Sequence, residues 1–355
     1  MVLKEWKLEL RNQPIGRFVL FTEQLLSPLI LIAILIGLAL IFDFLNGFHD
    51  SANVVATIIS SRAMSARAAL ALAALANFVG PLLFGVAVAK TIGNEIAPAD
   101  SITIAVVMAA LLSASLWNLL TWYLGLPSSS SHALIGGILG AVIAGSGAGV
   151  IPVEGLEKVF IALFTSPIIG FGVGVIIMRL TMWVAKGATP KINTSFKRLQ
   201  IPTAAILALS HGTNDAQKTM GIITMGLVAL GFQKDFDVPW WVIITSAGAI
   251  GVGTAMGGWR IIRTLGGKFY RIRPIHSFTS QLTSGATILT ASLLGGPVST
   301  TQVVSSSILG VGAAERRSKV RWGVMTDILL AWILTVPATT LVAALLYFPI
   351  NYLVE

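Results

Sequence analysis

The chain has 355 residues, 55 % hydrophobic and only 11 % charged, with a mean hydropathy of +0.84. Soluble domains carry roughly 25 % charged residues, so a water-coated globule is excluded; the apolar content also excludes disorder and a collagen-like fibre, and the lack of cysteine a disulfide scaffold. The net charge of +9 carries no nucleic-acid signature, because the basic clusters show neither interleaved aromatics nor zinc-ligand spacing.

In chain order, residues 1–17 hold Trp6, Leu10 and the basic Lys4, Lys7, Arg11 and Arg17. They read as an interfacial segment without a cleavable signal. Apolar runs follow at 24–42, 43–61, 69–91, 101–124, 127–149, 159–179, 201–231, 240–259, 276–296, 297–314 and 322–348. Runs of about 20 residues suit a hydrocarbon core of about 30 Å. The fold class expected is therefore an all-α polytopic membrane protein with about eleven to twelve transmembrane segments. Run 43–61 is short and 201–231 is too long for one simple helix; both hold charges, so both are expected to be broken helices, while 101–149 would be either two crossings or a re-entrant hairpin. Basic clusters at Arg62/Arg67, Arg179 to Arg198, Arg260 to Arg273 and Arg316 to Arg321 alternate with connections around Glu95/Asp100, Glu154/Glu157 and Asp235/Asp237. Positive-inside bias puts the basic set and the N-terminus in the cytoplasm, in a multi-pass inner (cytoplasmic) membrane protein.

The sequence contains itself twice. Residues 126–140, LPSSSSHALIGGILG, align with 296–310, GPVSTTQVVSSSILG, at a shift of 170. Pro127 meets Pro297, and Ser128 to Ser131 meet Val298 to Thr301. A shift of 165 pairs Gly47-Phe48-His49-Asp50 with Gly212-Thr213-Asn214-Asp215. Charge bias runs the segments before the two prolines in opposite directions, so the repeats are expected to be inverted. The organisation expected is an N-terminal segment and extra helix at 1–42, a first repeat at 43–179, a cytoplasmic linker at 180–207 and a second repeat at 208–349. Secondary transporters have this architecture and bind substrate near the midplane.

Ionisable groups inside apolar segments are costly and mark function. Asp43, Asn46, Asp50 and Asn53 follow spacings of 3, 4 and 3, which puts them on one helix face. His211, Asp215 and Lys218 repeat the 4 and 3, with Asn214 and Gln217 beside them. Each serine run follows a helix-breaking proline and precedes a Gly-rich helix, an arrangement that offers hydroxyls, free N–H groups and a positive dipole end to an anion. Ser128, Ser129, Ser299 and Thr300, with Asn53, Gln217 and Lys218, are the candidate oxyanion-binding residues. Asp43, Asn46, Asp50, Asn214 and Asp215 form a hard-oxygen set suited to sodium or a proton; His spacing is poor for zinc and no prosthetic group is expected. Carboxylates beside an anion site indicate cation-coupled oxyanion symport. Ser128 to Ser131 with His132 would be the basis of an intramembrane hydrolase, but adjacent residues on one helix diverge and no Gly-x-Ser-x-Gly elbow is present.

GFHDSANVVAT at 47–57 and SHGTNDAQKTMGI at 210–222 resemble the duplicated signature of the inorganic phosphate transporter (PiT) family. The first motif of that family has Asn where this chain has His49; Asp50 and Asn53 are in place. Gly212, Asn214, Asp215, Gln217 and Lys218 match the second motif, and Pro127 to His132 with Pro297 to Thr301 also fit. The resemblance implies uptake of inorganic phosphate with sodium as the coupling ion, or with protons in its place; some relatives take sulfate or a metal–phosphate complex. The lipid bilayer is the other partner, and the sequence leaves a homo-oligomer open.

Overall fold

Several helices begin where a proline or a hydroxyl side chain can manage the free N–H groups of the first turn. A computed structural model describes residues 27–95 and 101–354, so the basic segment 1–17 lies outside the described residues. The described chain is all-helical. Its helices are α1 (Pro28–Ser60), α2 (Ala66–Leu83), α3 (Ala87–Glu95), α4 (Ile104–Leu124), α5 (Ser130–Ser146), α6 (Val153–Val184), α7 (Ile192–Ala229), α8 (Trp240–Met256), α9 (Trp259–Gly267), α10 (Pro274–Leu293), α11 (Thr300–Arg316) and α12 (Trp322–Val354). Pro28 and Pro274 open α1 and α10, while Ser65 and Thr103 cap α2 and α4 by accepting from the Ala68 and Val106 N–H groups.

Five helical stretches are long and apolar enough to cross a membrane: α1, α2, α4, residues 159–184 of α6, and α12. The pair α8–α9, bent by 70°, would add a sixth. This is a multi-pass membrane protein. The run α7 is too polar to pass that test, and α5 is too short.

The breaks do not fall where charge predicts them. Runs 24–42 and 43–61 join in one continuous 33-residue helix, and 201–231 lies inside α7, a continuous 38-residue helix. A buried Asp or Lys needs a partner rather than an unwound backbone, and neighbouring helices supply it. Chain breaks instead follow left-handed glycines: Gly125 (φ 69°) ends α4 ahead of Pro127, and Gly295 (φ 76°) follows α10 ahead of Pro297. Residues 180–207, read as a linker, are mostly the end of α6 and the start of α7, with a non-helical turn at 185–191.

Packing is exchanged between the two parts of the chain. The most extensive helix pairs include α5 with α12 and α6 with α11, while α1 lies on α8 and α7 on α2. Close approach needs glycine at matching positions: a Cβ on Gly47 would overlap the Ile250 carbonyl oxygen, and one on Gly212 the Asn77 carbonyl oxygen. Two apolar clusters result. One holds Phe42, Leu111, Ile138 and Ile223; the other holds Ile58, Leu70, Leu207 and Ile308. The polar faces of α1 (43–53) and α7 (211–218) therefore lie between two dry layers.

Candidate phosphate and cation centre

The two serine runs enter this polar layer as helix starts. Ser129 caps α5, its Oγ accepting from the His132 N–H at 3.1 Å and lying 2.7 Å from His132 Nδ1. Ser299 caps α11 by accepting from the Gln302 N–H at 3.3 Å. A cap hydroxyl is committed to its own helix. The hydroxyls one and two positions later are free to reach across.

They reach the carboxylates in a matched pattern. Ser130 donates to Asp50 Oδ2 at 3.4 Å, and its counterpart Thr300 donates to Asp215 Oδ2 at 2.9 Å. Ser131 accepts from Lys218 Nζ at 2.5 Å, and its counterpart Thr301 accepts from Asn53 Nδ2 at 2.9 Å. Thr301 also donates to Asp50 Oδ1 at 3.1 Å. Lys218 pairs with Asp215 Oδ1. His49 Nδ1 sits 2.6 Å from Asp50 Oδ1, and His211 Nε2 lies 3.1 Å from Asp215 Oδ2 and 3.9 Å from Asp50 Oδ2. All of these side chains are buried, so each charge interacts in a medium far less screening than water.

Of the predicted site residues, Asn53, Asp50, Asp215, Lys218 and Thr300 meet in this centre. Ser129 and Ser299 border it as caps. Ser128 turns away and donates to Thr121 Oγ1 at 2.7 Å. Gln217 is drawn off to the start of α3, its Oε1 accepting from the Val88 and Ala89 N–H groups at 2.8 and 3.3 Å. Asn214 donates to Ser292 Oγ at 2.9 Å and to the Gly296 carbonyl at 3.2 Å. Asn46 and Asp43 lie one and two turns before Asp50 on α1, and none of their side-chain oxygens or nitrogens has a partner at hydrogen-bond geometry among the described residues, the Thr219 hydroxyl lying beside Asp43. Asn214 Oδ1 and Thr219 Oγ1 are also unsatisfied. A buried carboxylate with the Thr219 hydroxyl beside it and the Asn46 amide oxygen on the same helix face fits a hard cation, which would supply the missing contacts.

Ser130, Ser131, Thr301 and His211 belong to the centre although the site residues chosen from sequence omit them. The signal was present: the repeat alignment matches Ser130 and Ser131 with Thr300 and Thr301, and a cap at 129 and 299 frees the next two hydroxyls. His211 was visible on the Asp215 face. The fold brings one ligand atom each from Asp50, His211 and Asp215 within 4.8 Å of one another, a potential metal-holding group that the sequence spacing of the histidines did not show.

Residues 46–343, which include this centre except Asp43, match the phosphate transporter family. The chain belongs to that family. It is 47 % identical over 329 residues to a probable low-affinity inorganic phosphate transporter of Bacillus subtilis (strain 168), covering 91 % of this chain and 98 % of the relative. A relative of the same description from Rhizobium meliloti (strain 1021) is 45 % identical over 316 residues, covering 88 % and 95 %. A solved structure described as the sodium-dependent phosphate transporter shares the fold, with a TM-score of 0.84 at 23 % identity over 91 % of this chain and 99 % of that one. The transporter family and its relatives set aside the intramembrane hydrolase, and with it any nucleophilic role for Ser128 to Ser131.

Proposed function

We propose that this phosphate transporter family member is a sodium-coupled importer of inorganic phosphate, with phosphate held between the starts of α5 and α11 and cations held by the carboxylates of α1 and α7. The observation that carries the reading is that hydroxyls of both helix starts reach the carboxylates, Ser130 and Thr301 donating to Asp50 and Thr300 to Asp215. An anion arriving there displaces hydroxyl–carboxylate hydrogen bonds, and the carboxylates it uncovers need cations in return. The helix N–H groups and dipoles favour the anion; Asp43, Asn46, Asp50, Asn214 and Asp215 are the oxygen donors for sodium. Carrying both together removes most of the cost of taking a multiply charged ion through hydrocarbon.

The halves 43–179 and 208–349 would be inverted repeats in an inner membrane, with the N-terminus cytoplasmic and α5 and α11 as re-entrant pieces of the eleven or so segments. Support comes from the repeated order of elements and from the matched contacts of Ser130 and Thr300. In addition, the body of α5 packs in one apolar cluster and that of α11 in the other, as helices entering from opposite sides would. Uptake of phosphate into proteoliposomes under a sodium gradient, a proton gradient or neither tests the coupling. Accumulation driven by sodium alone is expected, and lost in Asp50→Asn and Asp215→Asn; accumulation driven equally well by protons alone would replace sodium.

A second reading, a divalent metal–phosphate complex as substrate, is favoured by the Asp50–His211–Asp215 group. It requires that a divalent cation be taken up in step with phosphate, which isotope uptake of both measures directly.

A further inference from the structure

A cavity of about 660 Å³ lies away from the buried centre, among the end of α1, the start of α7, the 266–274 segment and Arg321. Arg62, Lys197, Arg271, Arg273 and Arg321 line it, with no acidic residue among its walls. Glu315 pairs with Arg273, but Arg62, Lys197, Arg271 and Arg321 have no acidic partner among the described residues. Water and salt screen part of the repulsion among these four exposed cations, and a bound anion would relieve the rest.

Backbone geometry adds an independent observation. Arg62 is the one non-glycine residue with positive φ (56°) among the described residues. It terminates α1 in the left-handed position that glycine normally fills, with the Ala63 N–H returning to the Ile58 carbonyl at 3.2 Å. The residue that takes this strained position carries a side chain that lines the cavity. The polar floor is tied together: Ser61 donates to Gln200 Oε1 at 2.5 Å, and Gln200 Nε2 donates to the Pro274 carbonyl at 3.1 Å.

We propose that this cavity is a second anion site, distinct from the buried centre, which takes the phosphoryl groups of a polyanion with several adjoining negative charges. Four unpaired cations exceed what one phosphate ion balances, and the volume lies within the usual range of about 300–1,000 Å³ for ligand pockets. The arginine forks match phosphoryl oxygens two at a time. The ligand would bridge α1, α7 and α10, which also carry or border the transport residues. Ser61 lies about 16 Å along α1 from Asp50, and the intervening Thr57 accepts from Gln281 at 3.3 Å. Occupancy would therefore hold these helices together and slow uptake; that consequence rests on the transport reading above, whereas binding does not.

The test is calorimetric titration of the full chain in neutral detergent with sodium tripolyphosphate, and with inorganic phosphate for comparison. Saturable tripolyphosphate binding is expected, weakening as salt screens the exposed arginines. Arg271→Gln and Arg321→Gln should each weaken it about ten-fold, and the exposed Lys186→Gln should not. Arg62→Gly relieves the backbone while removing the charge, so it should raise thermal stability without ligand and still weaken binding. Asp215→Asn should leave tripolyphosphate affinity unchanged, which separates this site from the buried centre. Repeating the titration in discs of phosphatidylcholine and of phosphatidylglycerol identifies the source: binding suppressed only by the anionic lipid means that a headgroup fills the same arginines. Absence of saturable binding in neutral detergent, or equal binding by wild type and the Arg62, Arg271 and Arg321 variants, would overturn the proposal.

Discussion

Two hydroxyls, one from each helix start, have different work in this centre. Ser129 closes the first turn of α5, whereas Thr301 connects Asn53 to Asp50. Ser129→Ala should cost about 1 kcal/mol of stability, the usual worth of a cap, with the sodium dependence of uptake intact. Thr301→Val keeps the shape and leaves Asp50 and Asn53 short of a partner, at about 1–3 kcal/mol for each group left unsatisfied. Its signature is a changed sodium dependence in uptake assays, which the Ser129 variant does not show. Lys218 presents a sharper case, since it stands where the first repeat has Asn53. Removing one member of a buried pair costs about 3–5 kcal/mol, so Lys218→Gln should lower stability. If Lys218 also balances a doubly charged anion, phosphate binding by the surviving folded protein weakens and its pH dependence shifts toward the monovalent form. Unchanged affinity and pH dependence would leave Lys218 as the partner of Asp215 alone.

At the scale of helices, contact distance is set by what lacks a side chain. Gly47 and Gly212 are equivalent in the repeat, and each lets a helix carrying a carboxylate press against a carbonyl of its neighbour. Gly47→Ala should therefore separate α1 from α8 and reduce the yield of folded protein. Gly37→Ala, on the same helix with open space around it, should be neutral or stabilising by up to about 1 kcal/mol. Folded fraction by size-exclusion chromatography and thermal unfolding compares the two. The sequence announced the breaks ahead of Ser130 and Thr300, because Gly125–Pro127 and Gly295–Pro297 are local backbone chemistry. It misplaced those at Asp43 and within 201–231, because a charge in an apolar run reports a need for partners, and the partners arrive from elements far away in the chain. Asp50 and Asp215 were legible from their repeated spacing; the departure of Gln217 to Val88 was not, since nothing near Gln217 in sequence foretells the start of α3 beside it.

For the molecule as a whole, stability in acid depends on a cluster at the far end of α11. Burial would push the Glu315 carboxyl up, but His276, Arg273 and Lys319 together hold it below its ordinary value of 4.5. A carboxyl with a depressed folded pKa contributes stability that is fully present above its unfolded value and is lost as pH falls through the folded one. The melting temperature should accordingly fall as the pH drops below about 4.5, and Glu315→Gln should flatten that part of the profile; an identical profile in the variant would remove the cluster from acid stability. The exchanged packing governs something else, the order of assembly. The groove of α5 around Gly136 and Gly140 is filled by Thr339 and Thr340 of α12, with Thr340 donating to the Gly136 carbonyl at 3.1 Å. During synthesis α5 must wait in the membrane, with its glycine seam unfilled, until α12 has left the ribosome. The first of the two helices that bring hydroxyls to the centre is thus among the last to be locked, and an insertion machinery that released the nascent chain before α12 was complete would release a transporter unable to close its own centre.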